Sequence, residues 1–230
     1  MGIVKDLTVG QTLKVYEDGT AVEFIVAQHD YEKDLNGKGK TMLMRTNLLP
    51  DNVGWGSKNA DVSWENEPTL RNWLENTYAK RLSEAALKTI VPVTIRYSYG
   101  SNSSGTLKDQ RFFIPTADEF NQLPGGKTFW ERSFSGGREN ATVNANGWDV
   151  YDIWHYSFAC RNAKTGDDPS NSENKNCWGY IEGVGVRRGQ GADPGDPGHI
   201  TTYWFTGYNA TSIAGALVCF CVDENATVDD

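Results

Sequence analysis

Histidine and cysteine are scarce in this chain, and the few present do not fall into reactive patterns. There are three histidines, His29, His155 and His199, and four cysteines, Cys160, Cys177, Cys219 and Cys221. No H-E-x-x-H, G-x-S-x-G or P-loop sequence occurs, so the common signatures of zinc proteases, serine hydrolases and nucleotide-binding loops are missing. No C-x-x-C or zinc-finger spacing occurs either. Hydrolysis by a His-assisted nucleophile or by paired carboxylates has no pattern to rest on. His155 stands between Trp154 and Tyr156 in a presumed strand, where packing is its expected role, and His199, in a loop, is the freer one.

Long hydrophobic runs are missing too. No stretch approaches the roughly 18 apolar residues of a membrane helix, so membrane insertion is not expected. Met1-Gly2-Ile3-Val4-Lys5-Asp6 lacks the basic and apolar regions of a signal peptide, and Asp6 stands where a myristoylated Gly2 would need Ser or Thr. Synthesis in the cytosol is the expectation, with release inside a virus particle as one route to an extracellular role. Positive charge is short: 22 Lys and Arg face 30 Asp and Glu, a net charge of -8. Binding to a phosphate backbone needs a basic surface, so no nucleic-acid partner is expected.

Aromatics, by contrast, are plentiful. Eight Trp and ten Tyr supply a core and leave residues over for a binding face, while 24 Gly imply many turns. No low-complexity linker divides the 230 residues. One α+β domain over 1–230 is expected, with a β-rich part over 1–50 and a loop-rich part over 127–207.

Local signals give the order of elements. Residues 12–17 and 20–26 read as strands joined at Asp18-Gly19, a pair suited to a two-residue hairpin because both positions take positive φ. A third strand, 41–45, follows the Asn36-Gly37-Lys38-Gly39 turn. Residues 52–66, with Trp55 and Trp64, read as loop. In the next helix Pro68 suits the first turn, and Leu70, Trp73, Leu74 and Tyr78 share a face. A second helix over 83–90 turns Ala86, Leu87 and Ile90 inward. Val91-Pro92-Val93-Thr94-Ile95 reads as strand around a proline break. Residues 98–106, rich in Gly, Ser and Asn, read as loop.

Arg111-Phe112-Phe113-Ile114-Pro115-Thr116-Ala117-Asp118-Glu119-Phe120 reads as a short apolar strand, a proline stop and a capped helix start. Thr116 and Glu119 have the spacing of a capping box, and Pro115 and Phe120 that of a hydrophobic staple. Beyond it, Asn146-Gly147 marks a reversal, 150–161 and 180–187 read as strands, and 162–176 and 189–198 read as loops. Residues 202–206 and 214–222 close as strands, and the polar 223–230 is expected to fray or lead to a partner.

Cys219 and Cys221 flank Phe220 and would share one side of a strand, where buried free thiols are the expected state. Cys160 and Cys177 bracket a polar loop and could pair, although cytosolic synthesis weighs against it. Asn140, Asn209 and Asn225 each open an Asn-Ala-Thr sequence and read as turn residues in the absence of a secretion signal.

The 111–120 segment resembles the "R-L-P-T-x-x-E-W" signature of proteins with a C-type-lectin-like fold, a group that includes the formylglycine-generating enzymes and several bacterial and phage surface domains. Val62-Ser63-Trp64-Glu65-Asn66-Glu67-Pro68-Thr69-Leu70-Arg71-Asn72-Trp73-Leu74 is similar to the "T-W-x-x-S-x-L-R-x-W-L-N" segment of an uncharacterised domain family of gut bacteria and their phages. Residues 90–97 sit where that family has an "I-P-Y"-like strand. Tyr203-Trp204-Phe205-Thr206 and Ala216-Leu217-Val218-Cys219-Phe220-Cys221-Val222 look like its closing pieces, but the arginine of its "V-R-P-A" end is missing. The resemblance spans most of 10–225. It implies two helices packed on a mainly antiparallel sheet, paired terminal strands, and a long irregular region carrying a binding surface.

Within that group the oxidase branch holds copper with two cysteines several residues apart, and soft thiolates suit Cu(I). Cys219-Phe220-Cys221 is too close and too apolar to match. Sugar-binding C-type lectins hold Ca²⁺ through Glu-Pro-Asn or Gln-Pro-Asp and Trp-Asn-Asp sequences, none of which appears. Glu67-Pro68 stands at a helix start, where capping explains it. Asp167-Asp168 and the acidic loop from Asp193 to Asp196 could supply oxygen ligands, so Ca²⁺ stays open and no other cofactor is expected.

Trp130, Trp148, Trp154, Trp178 and Trp204 lie in the loop-rich half. Trp and Tyr beside Asn, Ser and Gly resemble the composition of a paratope, against the alternative that all five are packed. The expected ligand-binding residues are Trp148, Trp154, Trp178, His199 and Trp204. The expected function is that of a non-enzymatic phage virion protein, in a tail, a fibre or a capsid decoration. Its partners would be a host-surface glycan or protein, other virion proteins and further copies of itself. The alternatives are a formylglycine-generating-type oxidase or other enzyme on the same scaffold, and a purely structural virion subunit.

Overall fold

A computed structural model describes residues 2–46, 49, 53–54, 64–65, 68–99, 103–116, 119, 123, 142–143, 149–150, 157–160, 179–182, 213–214 and 216–228. The chain opens with β1 (Gly2–Ile3) and a 3-10 turn (Val4–Asp6). β2 (Thr12–Glu17) alternates exposed and buried, so Leu13, Val15 and Glu17 point inward. Asp18 and Gly19 have φ of +48° and +76°, the two left-handed positions of a tight hairpin. They lead into β3 (Thr20–Gln28), in which Phe24, Ile25 and Val26 are buried in succession. Consecutive burial means that both faces of this strand are covered.

A one-turn helix absent from the sequence expectations, α1 (Lys33–Asn36), precedes the Gly37–Gly39 turn and β4 (Lys40–Arg45). β5 (Val53–Gly54) lies in the stretch expected to be loop. α2 (Thr69–Asn76) buries Leu70 and Leu74, and Tyr78 is buried in the 3-10 turn that follows (Tyr78–Arg81). Trp73 is half-buried, at the edge of that stripe. In α3 (Glu84–Thr89) the Ser83 Oγ accepts the Ala86 N–H at 3.1 Å, an N-cap that fixes the helix start. Pro92 separates β6 (Ile90–Val91) from β7 (Val93–Tyr99), as its missing N–H requires.

β8 (Ser103–Gln110) pairs with β7 over most of its length. This overturns the loop expected over 98–106 at residues 98–99 and 103–106, while 100–102 lie outside the described residues. Ser and Gly have weak strand preference, but the ladder with β7 satisfies their backbone groups and overrides it. Gly105 lies opposite Tyr97, and a Cβ there would overlap the Tyr97 ring. What looked like a loop glycine therefore makes room for a cross-strand aromatic. The apolar strand expected before Pro115 reduces to a single antiparallel bridge, Phe113 to Cys219.

Next in order come β9 (Thr142–Val143), β10 (Asp149–Val150), β11 (Ser157–Cys160) and β12 (Gly179–Glu182). β9 pairs with β10, and β11 with β12. The ends of the strand expected over 150–161 thus have different partners, and 151–156 lie outside the described residues. β13 (Ile213–Ala214) pairs with β5. β14 (Cys219–Asp223) begins later than the 214–222 run suggested. β15 (Thr227–Val228) pairs with β1, so Thr227 and Val228, expected to fray with the polar tail, are tied down.

Five strands form the main sheet, in the order β2-β3-β4-β14-β6, every neighbour antiparallel. The architecture is mixed α+β, an antiparallel sheet with few helices. The register puts Leu13, Val15, Phe24, Val26, Leu43 and Phe220 on one face, with Phe220 opposite Leu43. There the Phe24 and Phe220 rings lie 5.1 Å apart, Phe112 meets Phe220 edge-on at 6.2 Å, and Tyr78 meets Phe112 at 5.6 Å. Burying a side chain of this size contributes about 1.5–3 kcal/mol. The other face carries Ile25, Met42, Met44, Cys219 and Cys221, all buried. Neither cysteine is in a disulfide. Among the described residues no helix is long and apolar enough to cross a membrane.

Candidate functional site

The five residues expected to bind ligand, Trp148, Trp154, Trp178, His199 and Trp204, lie outside the described residues, as do Trp130, Cys177, Asp167, Asp168, Asp193 and Asp196. The described pieces of that region are the short β9–β10 and β11–β12 pairs. β11 lies beside β13, β13 pairs with β5, and β5 lies beside α2. The α2 surroundings are thus where described parts of the loop-rich half come near the sheet and helices.

The residues around α2 are polar and aromatic. The Arg81 guanidinium sits 5.4 Å from the centre of the Trp73 ring, within range of a cation–π contact, and 3.9 Å from Asp18. Arg111 pairs with Glu75 at 3.1 Å. Arg71 donates through Nη2 to the Glu65 carbonyl at 2.9 Å, and its Nε–H is buried and meets no acceptor among the described residues. Burial pulls the Arg71 pKa down, and the nearby Glu65 charge opposes that shift. Tyr97 donates its hydroxyl to the Glu65 carboxylate. Its pKa is pushed up to about 12, first by burial and then by the bond to Glu65 and that residue's charge.

A second polar group lies deeper. The Glu17 carboxylate receives Arg45 Nε at 3.1 Å and the Tyr78 hydroxyl at 2.6 Å, and Glu17, Arg45 and Tyr78 are all buried. Burial, then the Glu17 charge and hydrogen bond, drive the Tyr78 pKa far above that of a free phenol. The strand parity of Leu13, Val15 and Glu17 carried the sequence signal for this inward carboxylate. Nothing local pointed to Arg45 or Tyr78 as its partners.

A third group centres on His29. Its Nε2 lies 2.8 Å from the Leu7 carbonyl and its Nδ1 2.9 Å from Thr41 Oγ1. A carbonyl only accepts, so Nε2 carries a proton and donates to Leu7. His29 thus ties the segment after β1 to β4.

The capping box forms as its spacing suggested. Thr116 N–H donates to Glu119 Oε2 at 2.7 Å, and Glu119 N–H donates to Thr116 Oγ1 at 3.1 Å. The other Glu119 oxygen, Oε1, accepts the Tyr31 hydroxyl at 2.8 Å, a contact that no local pattern announced. Phe120, the other half of the expected staple, lies outside the described residues. Asn225 is in a turn, where Asp223 accepts from its backbone and its side-chain amide. Asn140 and Asn209 lie outside the described residues.

Chemically, these groups are fixed donors and acceptors. Both perturbed tyrosines are held protonated at neutral pH, so they donate hydrogen bonds and do not act as bases. Among the described residues there is no cluster of three or more His, Cys, Asp or Glu. No curated protein and no solved structure matches the chain. The family described as a domain of unknown function, DUF6273, matches residues 38–173, more than half of the sequence, and the chain belongs to that family.

Proposed function

We propose that this chain is a non-enzymatic binding module with a C-type-lectin-like fold, carried on the particle of a phage that infects gut bacteria. It serves in a tail, a fibre or a capsid decoration and binds a host-surface glycan or protein. The state of the recessed polar groups carries this reading. Glu17 accepts from Arg45 and Tyr78, and Glu119 accepts from Thr116 N–H and, across 88 positions, from the Tyr31 hydroxyl, and Tyr78 and Tyr97 are locked as donors. Such groups hold a framework rather than move protons. The pairing of β1 with β15 and the capping box after Pro115 support the lectin-like fold. Binding then falls to the aromatic-rich 127–207 region, with Trp148, Trp154, Trp178, His199 and Trp204 as its contacts. Trp and Tyr offer large rigid faces at small entropic cost.

The purified chain on a glycan array, with light scattering for its assembly state, tests the proposal. Saturable binding to host-surface glycans, lost on Trp148→Ala or Trp204→Ala, is the expected result. Particles that lack the chain and still adsorb normally would overturn it, and stoichiometric copper in the purified protein would move the assignment to an oxidase.

A further inference from the structure

Tyr31 is fully buried although both of its neighbours have left-handed backbone. Asp30 has φ of +49° and Glu32 has φ of +44° and ψ of +52°. A non-glycine residue in this region carries a conformational cost, greater for Glu than for Asp. Surrounding contacts hold the turn in this shape. Gly39 N–H donates to Asp30 Oδ1 at 2.8 Å, Tyr31 N–H donates to the Lys40 carbonyl at 2.8 Å, and Arg96 Nε donates to Glu32 at 2.8 Å.

The turn delivers the Tyr31 side chain to a particular place. Its ring stacks on Phe113 at 5.6 Å with 19° between planes. Phe113 exchanges two backbone hydrogen bonds with Cys219 in β14, at 3.0 and 2.8 Å. Beyond the ring, the Tyr31 hydroxyl reaches Glu119, 88 positions away in sequence. Glu119 spends its two oxygens on different partners, one on Thr116 N–H and one on Tyr31. The capping box is also the last described motif before the chain enters the loop-rich segment.

We propose that the Tyr31–Glu119 contact is a conformational joint. In its closed form the strained 30–32 turn and the 116–119 capping box hold each other in place. In its open form the turn relaxes and the box melts together, while the main sheet stays folded. Local opening of this kind is drawn from the low-stability end of a fold.

Amide hydrogen exchange on the full chain, with Tyr31→Phe against the parent, tests the joint. The substitution keeps the ring on Phe113 and deletes only the hydroxyl. The loss of one part-buried hydrogen bond to a carboxylate should raise exchange about tenfold. The rise is expected at Thr116 and Glu119 and equally at Tyr31 and Gly39, with Leu43 and Phe220 unchanged. Glu119→Ala, which removes both acceptor oxygens, should produce the same paired rise. A rise on one side only, no rise on either, or a rise shared by Leu43 and Phe220 would each overturn the joint.

Discussion

Residues 2–123 with 213–228 and the stretch 124–212 differ less in aromatic content than in how the aromatics are spaced. In the first region Phe24, Tyr31, Tyr78, Phe112, Phe113 and Phe220 stand in strands or turns and meet ring to ring. In the second, five of the eight Trp are separated by Gly, Asn, Asp and Ser, and the described strands are two to four residues long. Aromatic abundance alone therefore does not locate a core. Periodicity does, because only residues that recur at the spacing of a strand or helix can share one face. The first region packs most of its described aromatics, with Tyr16 exposed, and the second, on the function proposed, commits its own to recognition.

The largest effect that would sharpen this contrast comes from the buried ion pair. Arg45→Met leaves the Glu17 carboxylate buried with a lost charge partner and should cost about 3–5 kcal/mol. The double change Glu17→Leu with Arg45→Met should recover most of that loss, since a well-packed apolar pair can replace a buried ionic one. Urea unfolding of the two variants and the parent measures this. A double variant no more stable than Arg45→Met would show that the pair does more than fill and neutralise its site.

Alkaline pH should act on the same region. The folded pKa values of Tyr78 and Tyr97 lie above the ordinary 10.0. A raised pKa means stability that is present in full below 10.0 and is lost as pH climbs toward the folded value. For Tyr97 that window runs from 10.0 to about 12, and for Tyr78 it extends further in the same direction. Urea midpoints taken on either side of 10.0 should therefore fall, and Tyr78→Phe should flatten the fall. A Tyr78→Phe protein with the parent's alkaline profile would remove Tyr78 as its source.

A smaller loss is expected at the capping box. Thr116→Ala removes the acceptor for Glu119 N–H and should cost about 1 kcal/mol. Equilibrium unfolding reads it directly. A loss well beyond that would show that Thr116 holds more of the structure than one helix start.

Much of the main sheet was legible because its signals are local. The Asp18-Gly19 hairpin, the 41–45 strand, the second helix, the break at Pro92 and the capping box all follow from residues a few positions apart. Elements that depend on distant partners were not legible. β8 is a strand because β7 offers it a ladder, and Gly105 is a glycine because Tyr97 crosses it. Thr227 and Val228 are held because β1 is there to receive them. The Glu17, Arg45 and Tyr78 group brings together three positions separated by at least 28 residues, and no short pattern encodes such a meeting. The expected binding residues rest on composition alone, which names residue types without placing them.

The smallest effect on stability is expected where the largest effect on binding is proposed. If Trp148 and Trp204 serve recognition, replacing either by Ala should leave stability within about 0.5 kcal/mol, as for surface positions away from packed features. Glycan binding should fall sharply in the same variants, since truncating an aromatic anchor typically costs more than 1 kcal/mol of binding energy. If the two tryptophans are packed instead, each truncation should cost about 3–5 kcal/mol of stability, and binding and folding would be lost together. Urea unfolding and glycan binding measured on the same samples separate these outcomes. A large stability loss in both variants would erase the contrast between the two regions, because the second would then spend its aromatics as the first does.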